Sequence, residues 1–193
     1  MTSPRPETER WPYIPAKWQT LIPSVREIRL IVIHSMESPE KGDTAENVGL
    51  FFQRGESRAS AHVGVDNNSV VQYVYDNNVA WAAPGVNNDG IHIELAGFSR
   101  QTPKDWQDEF SRMTLDRAAH VVAQYAVKYD IPLVHLTNKE LMSGRKGVIG
   151  HYQATACYKP NQGHTDPGPN FPWDQFLLTA ENYRFALVSK LQS

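Results

Sequence analysis

Three polar residues each follow a structured segment, although they lie far apart along the chain. His34 ends the apolar run IRLIVIH, His151 follows VIG, and Asp166 lies in GHTDPGPNFPW. Two imidazoles and one carboxylate form a ligand set that catalytic zinc sites use when the fourth position is kept for water. Zinc lowers the pKa of that water to about 7, so the residue types predict a metal-dependent hydrolase. The prediction rests on the three residues together, because their spacing matches no compact motif such as HExxH.

Two further residues are candidates for the chemistry itself. Glu94 ends the strand-like run GIHIEL, whose apolar neighbours predict a partly buried carboxyl group suited to proton transfer. The alternative is an exposed carboxylate on an edge strand. His164 lies two residues before Asp166, and in its protonated form it would hold the oxyanion of a tetrahedral intermediate. A second interpretation makes His164 a metal ligand in place of His151.

Four residues are candidates for contact with a substrate. His62 lies in the alternating segment SAHVGVD and shares its face with Ser60, so it is expected to line a cleft, and His92 shares a strand face with Glu94. Trp81 and Asn87 lie in a loop rich in Asn, Gly and Pro, where they would offer an apolar wall and an amide to a sugar or peptide. The structural alternatives, buried histidines, a packed tryptophan and a turn asparagine, remain open.

The elements that must position these residues follow from the apolar periodicity. Residues 28–34 are apolar at nearly every position, which predicts a strand covered on both faces. A hairpin is predicted over 60–75, a long loop over 76–90 and a further strand over 91–95. Residues 133–170 are expected to form mostly short elements and loops. The predicted fold is therefore an α/β single domain built around one mixed sheet.

Three helices are predicted around this sheet. Asp43 and Glu46 have capping-box spacing before a short amphipathic helix. Thr114 is the expected cap of a long helix that ends before Pro132. A C-terminal helix over 173–191 is expected to pack on the sheet.

Composition and charge narrow the class of protein. The 193 residues suit one domain, and the proline-rich residues 1–24 are expected to form an extended arm ahead of a catalytic domain at 25–193. A net charge of −2 gives no electrostatic reason to bind nucleic acid. No apolar run is long enough to predict membrane insertion. A monomer is expected, because no long apolar stripe demands a partner. Cys157, the single cysteine, excludes an internal disulfide and is interpreted as a small half-buried side chain rather than a metal ligand.

Seven ordered segments of the chain resemble a known family. They are IVIHS, SAHVGVD, VVQYV, AWAAPG, IHIELAG, IGH and HTDPGPNFPW. Together they are similar to the zinc-dependent N-acetylmuramoyl-L-alanine amidases of the type-2 amidase, or peptidoglycan-recognition-protein-like, superfamily. The resemblance spans residues 28–176, and TDPGPNFPW after IGH is its most specific part.

The resemblance implies a fold, a site and a reaction. His34, His151 and Asp166 would bind Zn²⁺, and Glu94 would be the catalytic carboxylate. The fold would be a mixed sheet of about five or six strands with helices on its faces and zinc at the floor of an open groove. The substrate would be peptidoglycan. The reaction would be hydrolysis of the amide between the lactyl group of N-acetylmuramic acid and L-alanine of the stem peptide.

Two positions depart from the family pattern, and several functions remain open. Many relatives carry a lysine where this chain has His164, and a small residue where it has His92. The resemblance therefore implies that His92 narrows the cleft or contacts the substrate. The leading interpretation is a phage-type endolysin, made in the cytoplasm without a signal peptide and acting on the cell wall after release. An intracellular enzyme that recycles muropeptides, a zinc peptidase and a non-catalytic peptidoglycan-binding protein of the same fold are the alternatives.

Overall fold

The computed structural model describes residues 11–191 as strands and helices that alternate along the chain. The strands are β1 Gln19–Thr20, β2 Leu30–Ser35, β3 Val63–Val65, β4 Val70–Gln72, β5 Val79–Ala80, β6 Gly90–Leu95 and β7 Gly147–Gly150. The α-helices are α1 Thr44–Arg54, α2 Glu109–Tyr129, α3 Asn138–Met142, α4 His151–Tyr158 and α5 Trp173–Leu191, with a 3₁₀ turn at Asp105–Gln107. Within residues 11–191, no helix is both long and apolar enough to cross a membrane.

Five of the strands form one mixed sheet in the order β4-β3-β6-β2-β7. Strand β2 runs parallel to both β6 and β7, β3 runs parallel to β6, and β4 closes a hairpin with β3. Every residue of β2 is buried, as its unbroken apolar sequence predicted. The predicted single α/β domain with a mixed sheet flanked by helices is confirmed.

The two faces of the sheet are covered differently. Ile31 and Ile33 of β2 pack with residues of α2 and α5 in the largest core cluster. Leu30 and Val32 point to the other face, where they pack with residues of the 83–86 loop, α3 and α4. Because side chains alternate along a strand, His34 lies on this second face. Helix α5 packs chiefly against α2 rather than on the sheet, which corrects the predicted placement.

The capping box predicted for α1 does not form, and the predicted cap of α2 is wrong. Asp43 stands at the N-cap position of α1, but its side chain makes no capping bond. The carboxylate of Asp66, from the β3–β4 turn, instead accepts a hydrogen bond from the backbone N–H of Ala45 at 3.0 Å. Helix α2 begins at Glu109, because Asp108 accepts from a backbone N–H in its first turn, and Thr114 therefore lies inside the helix.

The described part of the predicted arm packs against the domain. The backbone of Ala16 donates to Tyr73 at 2.9 Å, and β1 pairs with β5, so the loop predicted over 76–90 contains a short strand. The indole of Trp18 stacks on that of Trp81, with ring centres 5.4 Å apart. Residues 1–10 of the arm lie outside the described residues, and the boundary at residue 25 stays a prediction.

Candidate metal centre and active site

The candidate site lies where the carboxyl ends of three parallel strands meet. His34 of β2 and Glu94 of β6 are neighbours in register. Strand β7 ends at Gly150, which pairs with Ile33, and His151 follows directly as the first residue of α4. The carboxyl ends of parallel strands share one edge of a sheet, so residues distant in sequence meet there.

A buried cluster of two histidines and one aspartate forms the centre of the site. Nδ1 of His34 lies 3.2 Å from Oδ2 of Asp166, and Nδ1 of His151 lies 3.2 Å from Oδ1 of the same carboxylate. One ligand atom from each residue falls within 4.8 Å of the others. Ligands held tetrahedrally at about 2.0–2.1 Å from zinc lie roughly 3.3 Å from one another. The donor set, and the 3.2 Å distance from each imidazole to the carboxylate, therefore suit a metal ion such as zinc.

The electrostatics of the cluster favour the protonation states that a metal requires. Burial raises the pKa of Asp166, but its hydrogen bonds with His151 and His34 outweigh that effect and hold the pKa well below the usual value. Burial lowers the pKa of His151, although Asp166 partly offsets this. An ionised carboxylate and a neutral imidazole are the charge states in which these groups bind a cation.

Glu94 places a carboxyl group beside the cluster. Burial raises the pKa of Glu94 well above its usual value, and the negative charges of Asp166 and Glu37 act in the same direction. Its Oε2 atom is buried and has no hydrogen-bond partner among the described residues. A carboxyl group that is free of structural bonds and reluctant to ionise is suited to proton transfer.

His164 lies over the cluster at the edge of the cleft. Its ring stacks on that of His151 with centres 4.0 Å apart, and its side chain is 46% exposed. Burial and the neighbouring His151 lower the pKa of His164, which disfavours the cationic role predicted from the sequence. A neutral imidazole keeps one N–H donor, so a hydrogen-bonding role remains. The metal cluster contains His151 and not His164.

An open cleft of about 660 Å³ leads to the cluster. The cluster residues, Glu94 and His164 line one side of it. Helix α1 supplies an apolar wall through Val48, Phe51 and Phe52. An extended substrate lying in the cleft would therefore pass over the cluster with one side against an apolar surface.

The structure corrects the predicted roles of His62 and His92. Both side chains are 0% exposed, and neither lines the cleft. The ring of His62 contacts the backbone oxygen of Asn78 at 3.2 Å, and the ring of His92 contacts that of His34 at 3.1 Å. The alternation of the strands placed them on the correct face. Both rings are nevertheless fully buried, so a substrate in the cleft does not contact them.

Trp81 and Asn87 line a second cleft of about 550 Å³ together with Arg58 and Lys159. The indole N–H of Trp81 donates to Thr20 at 2.9 Å, which holds the ring in place. The side-chain oxygen of Asn87 accepts from two backbone N–H groups of its own loop, so only its amino group is free of these bonds. Their contact with a substrate stays a prediction.

Glu37 belongs to the site but was missed by the sequence analysis. It lines the cleft and accepts hydrogen bonds from the Ser35 hydroxyl and the Ser99 backbone N–H, both at 2.7 Å. Its φ of 50° lies in the left-handed region that non-glycine residues seldom adopt. No sequence pattern marks such a position. Cys157, at the end of α4, is half-buried, as predicted from the sequence. The metal cluster consists of His34, His151 and Asp166 and does not include it.

Several solved structures share this fold at low sequence identity. Staphylococcus aureus hydrolase AmiA, solved with its ligand, has a TM-score of 0.68 and 15% identity over 95% of this chain and 87% of its own. A Se-Met derivative of AmpD has a TM-score of 0.62 and 20% identity over 93% and 99%. LysCS, an endolysin N-acetylmuramoyl-L-alanine amidase from Clostridium intestinale, has a TM-score of 0.56 and 16% identity over 91% and 93%.

The family assignment comes from the sequence itself, because likeness at such low identities shows the fold alone. A comparison with curated protein sequences gives no significant match. The sequence profile of the N-acetylmuramoyl-L-alanine amidase family, in contrast, matches residues 24–169, which span most of the chain and include His34, Glu94, His151 and Asp166. The chain belongs to the N-acetylmuramoyl-L-alanine amidase family.

Proposed function

We propose that the protein is a zinc-dependent amidase that cleaves peptidoglycan between the lactyl group of N-acetylmuramic acid and L-alanine. The observation that carries the proposal is the buried cluster of His34, His151 and Asp166 beside Glu94, whose Oε2 atom has no hydrogen-bond partner within residues 11–191, at the floor of an open cleft. A structural role alone would not account for this arrangement, because buried polar groups without partners destabilise the fold.

The three cluster residues would hold the metal, and Glu94 and His164 would serve the reaction. When bound, zinc supplies a Lewis acid that polarises the substrate carbonyl and acidifies a water molecule. Glu94 accepts a proton from the attacking water and passes it to the amide nitrogen as the C–N bond breaks, so the amine leaves neutral. His164 donates a hydrogen bond from its ring N–H to the oxygen that gains negative charge.

The glycan strand would extend from the metal site toward the second cleft. Ala59, Ser60 and Ala82 line the first cleft, and their chain neighbours Arg58 and Trp81 line the second, so the two clefts lie side by side. The rigid indole of Trp81 offers a flat surface to a sugar ring, and the amino group of Asn87 offers a donor. We assign both residues to binding of the glycan, while the stem peptide occupies the cleft along α1.

The biological role we favour is that of a phage-type endolysin, a monomer that reaches the cell wall after release. The likeness to LysCS, an endolysin by its description, supports this role, and the recycling of soluble muropeptides is the second candidate. The relative rates on intact peptidoglycan sacculi and on soluble muropeptides separate the two. An endolysin solubilises intact sacculi efficiently, whereas a recycling enzyme acts on the soluble fragments and leaves the sacculi largely undigested.

Digestion of purified peptidoglycan, read by mass spectrometry, tests the reaction. The zinc-loaded protein should release stem peptides that begin with L-alanine. Treatment with EDTA should abolish release until zinc is restored. Glu94→Gln should also abolish it while zinc binding persists, and the exposed-site control Glu56→Gln should leave it unchanged. Binding without cleavage would favour a peptidoglycan receptor, and cleavage within the stem would identify a peptidase.

A further inference from the structure

The histidine beside the metal cluster, His92, contacts His34 on the side of the ring that faces away from the cluster. Nδ1 of His34 lies 3.2 Å from Asp166, on the cluster side, whereas Nε2 of His34 lies 3.1 Å from Nδ1 of His92. His92 is 0% exposed and is not part of the cleft lining. Any effect of His92 on the reaction must therefore act through His34.

The backbone of His92 is held by a histidine with only one possible neutral tautomer. Nε2 of His62 lies 3.2 Å from the carbonyl oxygen of Asn78, and a carbonyl only accepts hydrogen bonds, so this nitrogen carries the proton. Nδ1 of His62 is then bare, and it accepts from the backbone N–H of His92 at 3.0 Å. The rings of His62 and His92 stack nearly parallel, 11° apart. His92 therefore has a fixed backbone and a packed ring.

The position of one proton decides whether His34 can bind a metal. Because Nδ1 of His34 faces the cluster, His34 must present this nitrogen bare to bind a metal there, and its neutral ring then carries the proton on Nε2. The atom placed to accept that proton is Nδ1 of His92, which must itself be bare. If His92 donated instead, the proton of His34 would lie on Nδ1, where it would point at Asp166 and block the metal.

We infer that His92 is a positioning residue, whose Nδ1 accepts the Nε2–H of His34 and so holds this ring in the tautomer and orientation that bind the metal. The inference rests on the proposed metal site. Outer partners of metal-binding histidines are commonly carboxylates or backbone carbonyls, and this chain uses a neutral imidazole. A neutral acceptor leaves the positive charge of the site less compensated than a carboxylate would.

The arrangement leaves one atom of His92 unsatisfied. With Nδ1 bare, the ring proton of His92 lies on Nε2, and this buried nitrogen has no hydrogen-bond partner among the described residues. A buried donor without a partner destabilises the folded protein. If His92 served packing alone, an apolar side chain in its place would stabilise the protein. The unsatisfied Nε2 atom therefore distinguishes the positioning role from a purely structural one.

Two substitutions that differ in the acceptor test the inference. His92→Leu fills the space without an acceptor, and His92→Asn places an amide oxygen close to the position of Nδ1. Zinc affinity is measured by competition with a chelator, and the melting temperature is measured on the metal-free proteins. We expect His92→Leu to lose about 10–100-fold in zinc affinity with an unchanged or higher metal-free melting temperature, and His92→Asn to keep most of the affinity. His120→Leu, on α2, serves as the control and should bind zinc like the parent protein.

The contrary outcomes are equally distinct. Unaltered zinc affinity in His92→Leu would overturn the inference. It would also be overturned if, in both variants, the loss of zinc affinity matched a fall in the metal-free melting temperature. Nitrogen-15 NMR of the zinc-loaded protein should find the ring proton of His34 on Nε2, and a proton on Nδ1 would also overturn it. A parent protein that binds zinc but does not cleave peptidoglycan would refute the proposed function alone. A parent protein that binds no zinc would refute both.

Discussion

The surroundings of His62 favour its neutral form. Burial, followed by the positive charge of Arg26, lowers the pKa of His62 from 6.5 to about 3. Between these two values the unfolded chain binds more protons than the folded protein, so the free energy of unfolding rises with pH across this window. Stability should accordingly fall as the pH drops below 6.5, with the loss complete near pH 3.

Replacement of His62 by glutamine tests this dependence. The amide can donate to Asn78 and accept from the backbone of His92 without titrating. We expect His62→Gln to lose about 2–3 kcal/mol less than the parent protein when the pH is lowered from about 7.5 to 4.5. Urea unfolding in EDTA measures the difference free of metal effects. Equal losses in the two proteins would show that His62 does not control acid stability.

His164 should act through its hydrogen bond rather than through a charge. Its lowered pKa favours a neutral ring, and a neutral amide can replace such a donor. We expect His164→Ala to reduce kcat on a muropeptide by about 10²–10³, the typical cost of removing an oxyanion donor, with little change in KM. His164→Gln should recover most of this loss. Equal losses in both variants would indicate that the imidazole itself is required.

Residue types identified the cluster but not the roles of the histidines around it. His34, His151 and Asp166 could be selected because each follows a structured segment, and strand ends converge in α/β sheets. The alternation of β6 placed His92 on the face of Glu94, but it carried no information about what covers that face. The contact of His92 with His34 joins two residues 58 positions apart in the chain, so it could only be seen in the folded structure.

At the scale of secondary structure, Asp66 links the β3–β4 turn to the start of α1. Its Oδ2 accepts from the backbone N–H of Ala45 at 3.0 Å, and its Oδ1 accepts from the N–H groups of Asn68 and Ser69. The carboxylate is fully buried, so its removal leaves buried N–H groups without partners. One side chain thus fixes both the hairpin turn and the orientation of the helix that walls the cleft.

The pair Asp66 and Asp43 offers a matched test of this cap. Asp66→Ala should lower the free energy of unfolding by about 3 kcal/mol, since it removes a cap and several charge-assisted hydrogen bonds. Asp43→Ala removes a side chain at the N-cap position that makes no capping bond, and it should change stability by less than about 0.5 kcal/mol. Denaturant unfolding measures both. A larger loss of stability in Asp43→Ala than in Asp66→Ala would instead support the capping box predicted from the sequence.

Elements with a strong local signal were predictable, and those defined by their partners were not. The unbroken apolar run of β2 and the amphipathic pattern of α1 led to the correct elements. The four residues GVIG of β7 have little strand character, and they form a strand because β2 offers a free edge. Strands β1 and β5 have two residues each and exist only through mutual pairing. Such elements are determined by tertiary contacts that local periodicity does not contain.

At the scale of the whole molecule, the segment before residue 25 takes part in the core. Ala16 packs with Phe52 and Tyr73 and is only 3% exposed, whereas Leu21 of the same segment is 73% exposed. The backbone of Ile14 and Ala16 also donates to the strand edge at Gln72 and Tyr73. Since Phe52 belongs to α1, which lines the cleft, the segment packs against the helix that forms one side of the candidate site.

Charge substitutions in this segment therefore test whether residues 25–193 form an independent domain. Ala16→Asp buries an unpaired carboxylate and should cost about 3 kcal/mol or more in the free energy of unfolding. Leu21→Asp introduces the same group at an exposed position and should cost less than about 0.5 kcal/mol. Urea unfolding of both proteins gives the comparison. Small and equal effects would show that the arm is dispensable and that the domain begins near residue 25, whereas a large difference extends the folded unit to include the arm.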